Sequence, residues 1–155
     1  MALNSSFTVT CLSTNGTGAN KYQLKYNFDW NAMPSGKYNL QFAFTSKGAA
    51  FGANDIVIVQ IPDLGCKLEH YSATSSTSAT SAQVNNYLGV VTPSYATGSL
   101  QFLFAHYEQN PPIFIGSKPH GNTFTVNLLD NTGVAFYTAQ SVDYVLTLYF
   151  KKIDE

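Results

Sequence analysis

The sequence predicts an all-β protein: an antiparallel sandwich of two sheets, with a single eight-stranded jelly roll as the first choice of topology. The strongest observation is a period of two along two stretches of the chain. Their apolar members are Tyr22, Leu24, Tyr26, Phe28 and Trp30 in the first stretch and Tyr38, Leu40, Phe42 and Phe44 in the second. Because successive side chains of a strand point to opposite faces, each stretch buries one face and exposes the other.

The second observation is that the rest of the chain divides into short strands separated by turn residues, and no window shows a helical period. The predicted strands are Ser6–Leu12, Lys21–Trp30, Lys37–Ser46, Asp55–Ile61, Gln83–Val91, Gly98–Tyr107, Ile113–Ile115, Thr123–Leu129, Val134–Thr138 and Asp143–Lys152. Long connections that contain Pro and Gly favour Greek-key crossings over a simple meander. An immunoglobulin-like sandwich is the second choice, although no pair of cysteines flanks a tryptophan at the expected spacing.

Three segments are predicted to be loops or turns. Ser13–Asn20 contains two glycines, and Ser72–Ser81 is a low-complexity run of Ser, Thr and Ala that is too small and polar to pack a core. We expect the second of these to be a long exposed loop. Asp130–Gly133 resembles a fragment of a calcium loop, but it lacks the further carboxylates that such a loop needs, so it is predicted to be a turn.

Length and composition limit the function classes. The 155 residues are expected to form one domain, 1–155. Only 11% of the residues are charged and the net charge is −1, against about 25% charged in typical soluble domains. All eight cationic residues are lysines, which argues against nucleic-acid binding and against an arginine clamp for phosphate. A weakly charged surface suits a subunit that packs against its neighbours or a domain that faces glycans.

The two cysteines and the absence of targeting segments bear on the cellular compartment. Cys11 follows the apolar phase of the first strand, so a buried free thiol is expected, while a disulfide with Cys66 stays open. The first residues show no leader pattern, and no apolar run is long enough for a membrane span. We therefore expect a soluble protein made in the cytoplasm.

No catalytic arrangement is found in the sequence. The three histidines, His70, His106 and His120, show no metal-ligand spacing, and structural or surface roles are favoured for them. The acidic residues stand mostly at strand ends, without an identifiable pair for glycoside hydrolysis. No nucleophile motif is present. The sequence therefore predicts a protein that is not an enzyme and that uses no cofactor or metal.

Tyrosines near loops are the candidate contacts for a ligand or an interface. They are Tyr71, Tyr87, Tyr95 and Tyr107. Aromatic faces stack on sugars, so a lectin could use them. The alternative, which we favour, is that a chain with ten tyrosines leaves some of them near the surface without a function.

Four segments together resemble the small single jelly-roll structural proteins of large double-stranded DNA viruses of algae and protists. They are Tyr26–Trp30, Met33–Tyr38, Phe42–Ser46 and Tyr144–Phe150. The resemblance implies a minor capsid, penton or cement-type subunit that assembles through sheet edges and loops. Its partners would be copies of itself, as a trimer or pentamer, and other capsid proteins, and its location would be the virion. The chain is too short for the two jelly rolls of a major capsid protein.

Two other classes stay open from the sequence. The first is a carbohydrate-binding or fibre-head module that binds a glycan through its loop tyrosines. The second is a trimeric cytokine-like ligand with the same sandwich, which the lack of a leader or anchor makes less favourable.

Overall fold

The structure is a computed structural model that describes residues 6–48, 56–64, 71–74, 81–84, 87–91, 93–97, 100–105, 112–130, 133–136 and 143–153. These residues form thirteen strands and two short 3₁₀ turns, and they contain no α-helix. The strands are β1 Ser6–Leu12, β2 Thr17–Asn20, β3 Gln23–Asn27, β4 Lys37–Gly48, β5 Val57–Gln60, β6 Tyr71–Thr74, β7 Ser81–Val84, β8 Tyr87–Val91, β9 Pro93–Thr97, β10 Leu100–Ala105, β11 Ile113–Ile115, β12 Thr123–Leu129 and β13 Tyr144–Ile153.

Two antiparallel sheets form the sandwich. Sheet A has the strand order β1-β13-β4-β10-β9, with β11 also paired to β4, and sheet B has the order β2-β3-β12-β5-β8. Eight of these strands pair first with last, second with seventh, and so on inward: β1 with β13, β3 with β12, β4 with β10, and β5 with β8. This is the pairing of a jelly roll, a long antiparallel ribbon folded over into two sheets. The predicted topology is confirmed, and five further strands are added to the eight.

Several predicted boundaries are confirmed. The strands β1, β11 and β12 have the predicted bounds, and β4 and β13 differ from the prediction by one or two residues. The turn at Asp130–Gly133 is also confirmed. The backbone N–H of Gly133 donates to the carbonyl of Asp130 at 3.0 Å, and Gly133 has the positive φ of 80° that its turn position requires.

The predicted loop Ser13–Asn20 is wrong in its second half, where β2 pairs with the edge of β3. Its glycines allow this segment to approach β3 closely. A Cβ at Gly16 would lie 2.9 Å from the Cβ of Leu24, and a Cβ at Gly18 would lie 2.6 Å from the carbonyl oxygen of Gln23. The glycines therefore let the two backbones meet where a side chain would not fit.

The predicted exposed loop Ser72–Ser81 is also wrong at both of its ends. Residues 72–74 belong to β6 and Ser81 begins β7, and these two strands pair as a separate two-stranded sheet. Backbone hydrogen bonds between the two strands hold such a hairpin together even where small side chains have little to pack. Residues 75–80 lie outside the described part of the chain.

Three other strand predictions need correction. Lys21–Trp30 ends as a strand at Asn27, because Asp29 caps a 3₁₀ turn by accepting a hydrogen bond from the backbone N–H of Asn31 at 2.9 Å. Gln83–Val91 is two strands that lie in different sheets. In the predicted strand Val134–Thr138, the described residues form a single β-bridge, between Ala135 and Leu129.

The strand β9 was not predicted, because its first residue, Pro93, is a strand breaker. It lies at the edge of sheet A, and a proline is tolerated at the first residue of an edge strand.

One hydrophobic core lies between the sheets. β4 and β13 supply its centre from sheet A and β12 supplies it from sheet B. Aromatic rings fill one end, where Trp30 is fully buried and has Phe28 at 4.8 Å, Phe124 at 5.4 Å and Phe150 at 6.2 Å between ring centroids. Burial of each large side chain contributes about 1.5–3 kcal/mol to folding, so the aromatic alternation seen in the sequence is the main source of stability.

Candidate functional site

The outward side chains of sheet A form a face that is nearly free of charge. The strand register aligns β1, β13 and β4 in three rows, each with one residue from each strand. The rows are Leu12, Val145 and Thr45; Thr10, Thr147 and Ala43; and Thr8, Tyr149 and Gln41. We call these nine residues, with the next row of Ser6, Lys151, Asn39 and Phe114, the outer face of sheet A.

Exposed hydrophobic side chains concentrate on this face. Four large hydrophobic residues among those described are exposed, and three of them, Leu12 at 39%, Val145 at 38% and Phe114 at 45%, lie on the outer face of sheet A. The fourth, Val134, lies elsewhere. Leu12 and Val145 also line a cavity of about 280 Å³. Sheet B differs, because its outward residue Ile58 is fully buried. Exposed apolar side chains gathered on one face are a feature of interaction surfaces.

A cavity opens at one end of the same sheet, beside the start of β4 and the end of β13. Its volume is about 530 Å³, within the range of small-ligand sites. We call it the lysine pocket; it is lined by Ser35, Gly36, Lys37, Gly116, Ser117, Lys118, His120, Lys152 and Ile153.

Two of the lysines in this pocket have well-defined positions. The Lys118 ammonium donates hydrogen bonds to the carbonyl of Trp30 at 3.1 Å and to that of Met33 at 2.7 Å, and so holds the connection between β3 and β4. The Lys152 side chain crosses Gly36, where a Cβ would lie 2.7 Å from Cε of the lysine. Gly36 has a φ of +147°, and this backbone conformation favours glycine there.

The described lining of the lysine pocket is basic. Three lysines and one histidine line it. An ion pair lies elsewhere, between Lys21 and Asp143, and joins the turn before β3 to the start of β13. The Lys21 ammonium and the Ser13 hydroxyl, both hydrogen-bonded to Asp143, hold the pKa of its carboxyl below its usual value.

A small polar cluster is buried between the sheets. The Tyr26 hydroxyl of sheet B donates to the Tyr144 hydroxyl of sheet A at 3.2 Å. Burial raises the pKa of Tyr26 to about 12 and also raises that of Tyr144. Burial raises the pKa of the nearby Cys11 thiol to about 12. Cys11 is a buried free thiol, as predicted. All three groups stay neutral at physiological pH, so the cluster is structural rather than reactive.

The tyrosines singled out in the sequence do not share one site in the described structure. Tyr71 lies on β6 of the two-stranded sheet, Tyr87 on the edge strand β8 of sheet B, and Tyr95 on the edge strand β9 of sheet A. Tyr107 lies outside the described residues. Their role as ligand or interface contacts stays a prediction.

The lysine pocket was missed in the sequence, although a signal was present. Two short segments each place small residues before a lysine at a strand boundary: Ser35-Gly36-Lys37 before β4 and Gly116-Ser117-Lys118 after β11. Small residues there leave room for a ligand near the ammonium groups. Of the histidines, His120 is exposed at this pocket, while His70 and His106 lie outside the described residues.

Across the ranges that the structure describes, no three His, Cys, Asp or Glu side chains come together as metal ligands, and no helix is long and apolar enough to cross a membrane. The lysine pocket can attract an anion, and the outer face of sheet A can pack against another uncharged surface. No known protein family matches the chain, and no curated protein is similar enough to match it.

Proposed function

We propose that this protein is a non-enzymatic structural subunit that associates with copies of itself through the outer face of sheet A, as a minor capsid or penton-type component of a virion. The observation that carries the proposal is the set of three uncharged rows on that face. Jelly rolls serve as viral capsid subunits, and the resemblance of the aromatic strands and the closing strand to small capsid proteins supports the viral assignment.

The outer face of sheet A spans three strands, β1, β13 and β4, over the seven residues of β1. At about 4.8 Å between strands and 3.4 Å per residue, these rows cover about 14 by 24 Å, so an interface of standard size would also include surface around them.

Because the outer face of sheet A has little charge, a second copy of the chain can pack against it. When the face packs against the same face of another copy, like charges are brought together, so a patch of one charge sign would repel its copy. Here the three rows carry no charge, and threonine hydroxyls lie beside the exposed Leu12 and Val145. Asp143, paired with Lys21, lines the cavity at the end of these rows. Interface centres are depleted of charged residues in the same way. A face that packs against the same face of a second copy gives a two-fold dimer, and a trimer or pentamer would need a second, different patch on each copy.

Sedimentation velocity of the purified chain from micromolar to millimolar concentration tests the proposal. We expect wild type to form a closed oligomer and Val145→Lys to weaken association by about tenfold or more, because each contact would then bury a new charge. The matched control is Asn27→Lys, which adds the same charge at an exposed position on the outward side of sheet B.

A wild-type chain that stays monomeric at millimolar concentration would contradict the proposal, and so would equal effects of the two substitutions. The viral part has its own test, which is mass spectrometry of purified particles. We expect the chain among their proteins in stoichiometric amount, and its absence from them would refute that assignment.

A further inference from the structure

We infer that the outer edge of β1 pairs with the β1 edge of a second copy, so that sheet A continues from one chain into the next. The edge has seven residues, Ser6–Leu12, and contains no charged residue and no proline. In sheet A, β1 pairs with β13 on one side, and no other strand of the described chain pairs with its second side. This contact adds to the proposed self-association through the outer face of sheet A and does not depend on it.

The β1 edge lacks the features that protect sheet edges from pairing. Such features are charged side chains, prolines, bulges and very short strands. The register of β1 with β13 runs without a shift over all seven residues. The other outermost strands of the two sheets, β2, β8 and β9, each contain a register shift, and β9 also begins with Pro93. Among these four strands, β1 is therefore the best template for another strand.

The inner side of this edge leaves an aromatic ring partly uncovered. In β13, the next strand of the sheet, the inward side chains from Tyr144 to Phe150 are buried. Phe7 of β1 is only half-buried, although its ring packs against Phe28 and Phe150 at 5.8 and 6.4 Å between centroids. A strand added beside β1 would bring its own inward side chains against Phe7 and bury more of the ring, which favours pairing.

β1 is complementary to itself in the antiparallel direction. With a two-fold axis at Val9, Thr8 of one copy lies opposite Thr10 of the other on the outward side, and Phe7 lies opposite Cys11 on the inward side. Each of these pairs occurs twice, because both copies contribute both residues. Opposed threonines are a favourable cross-strand pair, and a large ring opposite a small thiol avoids the crowding of two rings. A second copy therefore fits this edge.

Edge pairing also enlarges the outer face of sheet A. A two-fold axis perpendicular to the sheet leaves both copies facing the same way, so the rows of β1, β13 and β4 from each copy join into one face. With three strands from each copy, that face measures about 29 by 24 Å, or about 700 Å². An interface of standard size takes about 800 Å² from each partner. The pair of chains therefore supplies most of the area that one chain lacks.

Hydrogen exchange of the β1 amides, measured by mass spectrometry in dilute and concentrated protein, tests the inference. Alternate N–H groups of an edge strand point away from its neighbour, so these groups should exchange fast in dilute protein. On concentration their exchange should slow by about tenfold or more, because they become hydrogen-bonded to the second copy. The amides of β12, which has a neighbouring strand on both sides within the chain, should not change.

Two double variants test the register by sedimentation velocity. Thr8→Lys with Thr10→Lys places two like-charged pairs across the two-fold axis and should weaken association by about fivefold. Thr8→Lys with Thr10→Glu places two opposite-charged pairs there and should restore association to the wild-type level. The variants differ only in the sign of one charge, and circular dichroism of each confirms that the fold is retained.

Val145→Lys separates this contact from the contact through the outer face, because Val145 lies on β13 and not on the edge. We expect β1 exchange to slow on concentration in this variant as in wild type. Loss of that protection would overturn the inference and leave the contact through the outer face standing. Three other results would also overturn it: β1 amides already protected in dilute protein, exchange that concentration does not change, or equal association of the two double variants.

Discussion

Alkaline pH should destabilise this protein through the cluster of Cys11, Tyr26 and Tyr144. Burial raises the pKa of Cys11 from 9.0 to about 12 and that of Tyr26 from 10.0 to about 12. Because the folded pKa values lie above the unfolded ones, the unfolded chain loses its protons first as the pH rises. The stability that these groups contribute is fully present below about pH 9 and is lost toward pH 12.

The loss can be calculated from the pKa differences, since one pKa unit corresponds to about 1.4 kcal/mol. At about pH 11 the thiol should lower the free energy of unfolding by about 3 kcal/mol and Tyr26 by about 1 kcal/mol. Tyr144, whose pKa burial also raises, adds to this loss. A total of about 4 kcal/mol or more is a large part of the stability of a typical domain, about 5–15 kcal/mol.

Urea unfolding followed by circular dichroism, under reducing conditions at about pH 8 and pH 11, measures this difference. In Cys11→Ala the drop between the two pH values should shrink by about 3 kcal/mol, whatever the cost of the substitution at neutral pH. A free energy of unfolding that stays constant up to about pH 11, or an undiminished drop in the variant, would refute the reasoning.

The other predictions concern the same cluster and the lysine pocket. Tyr26→Phe should cost about 1–3 kcal/mol of stability, because it leaves the buried Tyr144 hydroxyl without its partner. The variant with both tyrosines changed to Phe should cost less than the sum of the two single changes. Additive losses in urea unfolding would contradict this coupling. Gly36→Ala should cost about 1–3 kcal/mol from backbone strain, because the Lys152 Cε that its Cβ would meet is the flexible end of a side chain and can move aside. Gly121→Ala, with a φ of +93° and open space around it, should cost a similar amount, so a much larger thermal shift in Gly36→Ala would contradict this reasoning.

Much of the fold was predictable because its central strands have one buried and one exposed face. β4 and β13 pair over ten residues, and a shift of one residue would turn every buried side chain of either strand outward. Their alternation therefore determines both the strands and the face that each one buries. The jelly-roll order followed from the number of short strands and from their long connections.

The peripheral strands were harder to predict, because their residues are ordinary loop formers. Gly16, just before β2, and Gly18, within it, are needed for close packing on β3. This need depends on the neighbouring strand and not on local conformational preference. β9 begins with Pro93, and only its position at a sheet edge makes that residue acceptable.

The lysine pocket depends on contacts between distant parts of the chain. The register between β4 and β13 places Ile153 opposite Lys37, and Lys118 arrives from the connection after β11. No local pattern in the sequence contains this arrangement. The low charge of the outer face of sheet A was partly visible as low overall charge, but the concentration of exposed apolar residues on it required the strand register.

Self-association through the outer face of sheet A is the central claim, and hydroxyl-radical footprinting tests it most directly. The reactivity of exposed side chains would be compared between dilute and concentrated protein. We predict that Leu12, Val145 and Phe114 become protected on concentration, while Val134, which is exposed away from that face, keeps its reactivity. Unchanged reactivity of the first three residues, or equal protection of Val134, would contradict the claim.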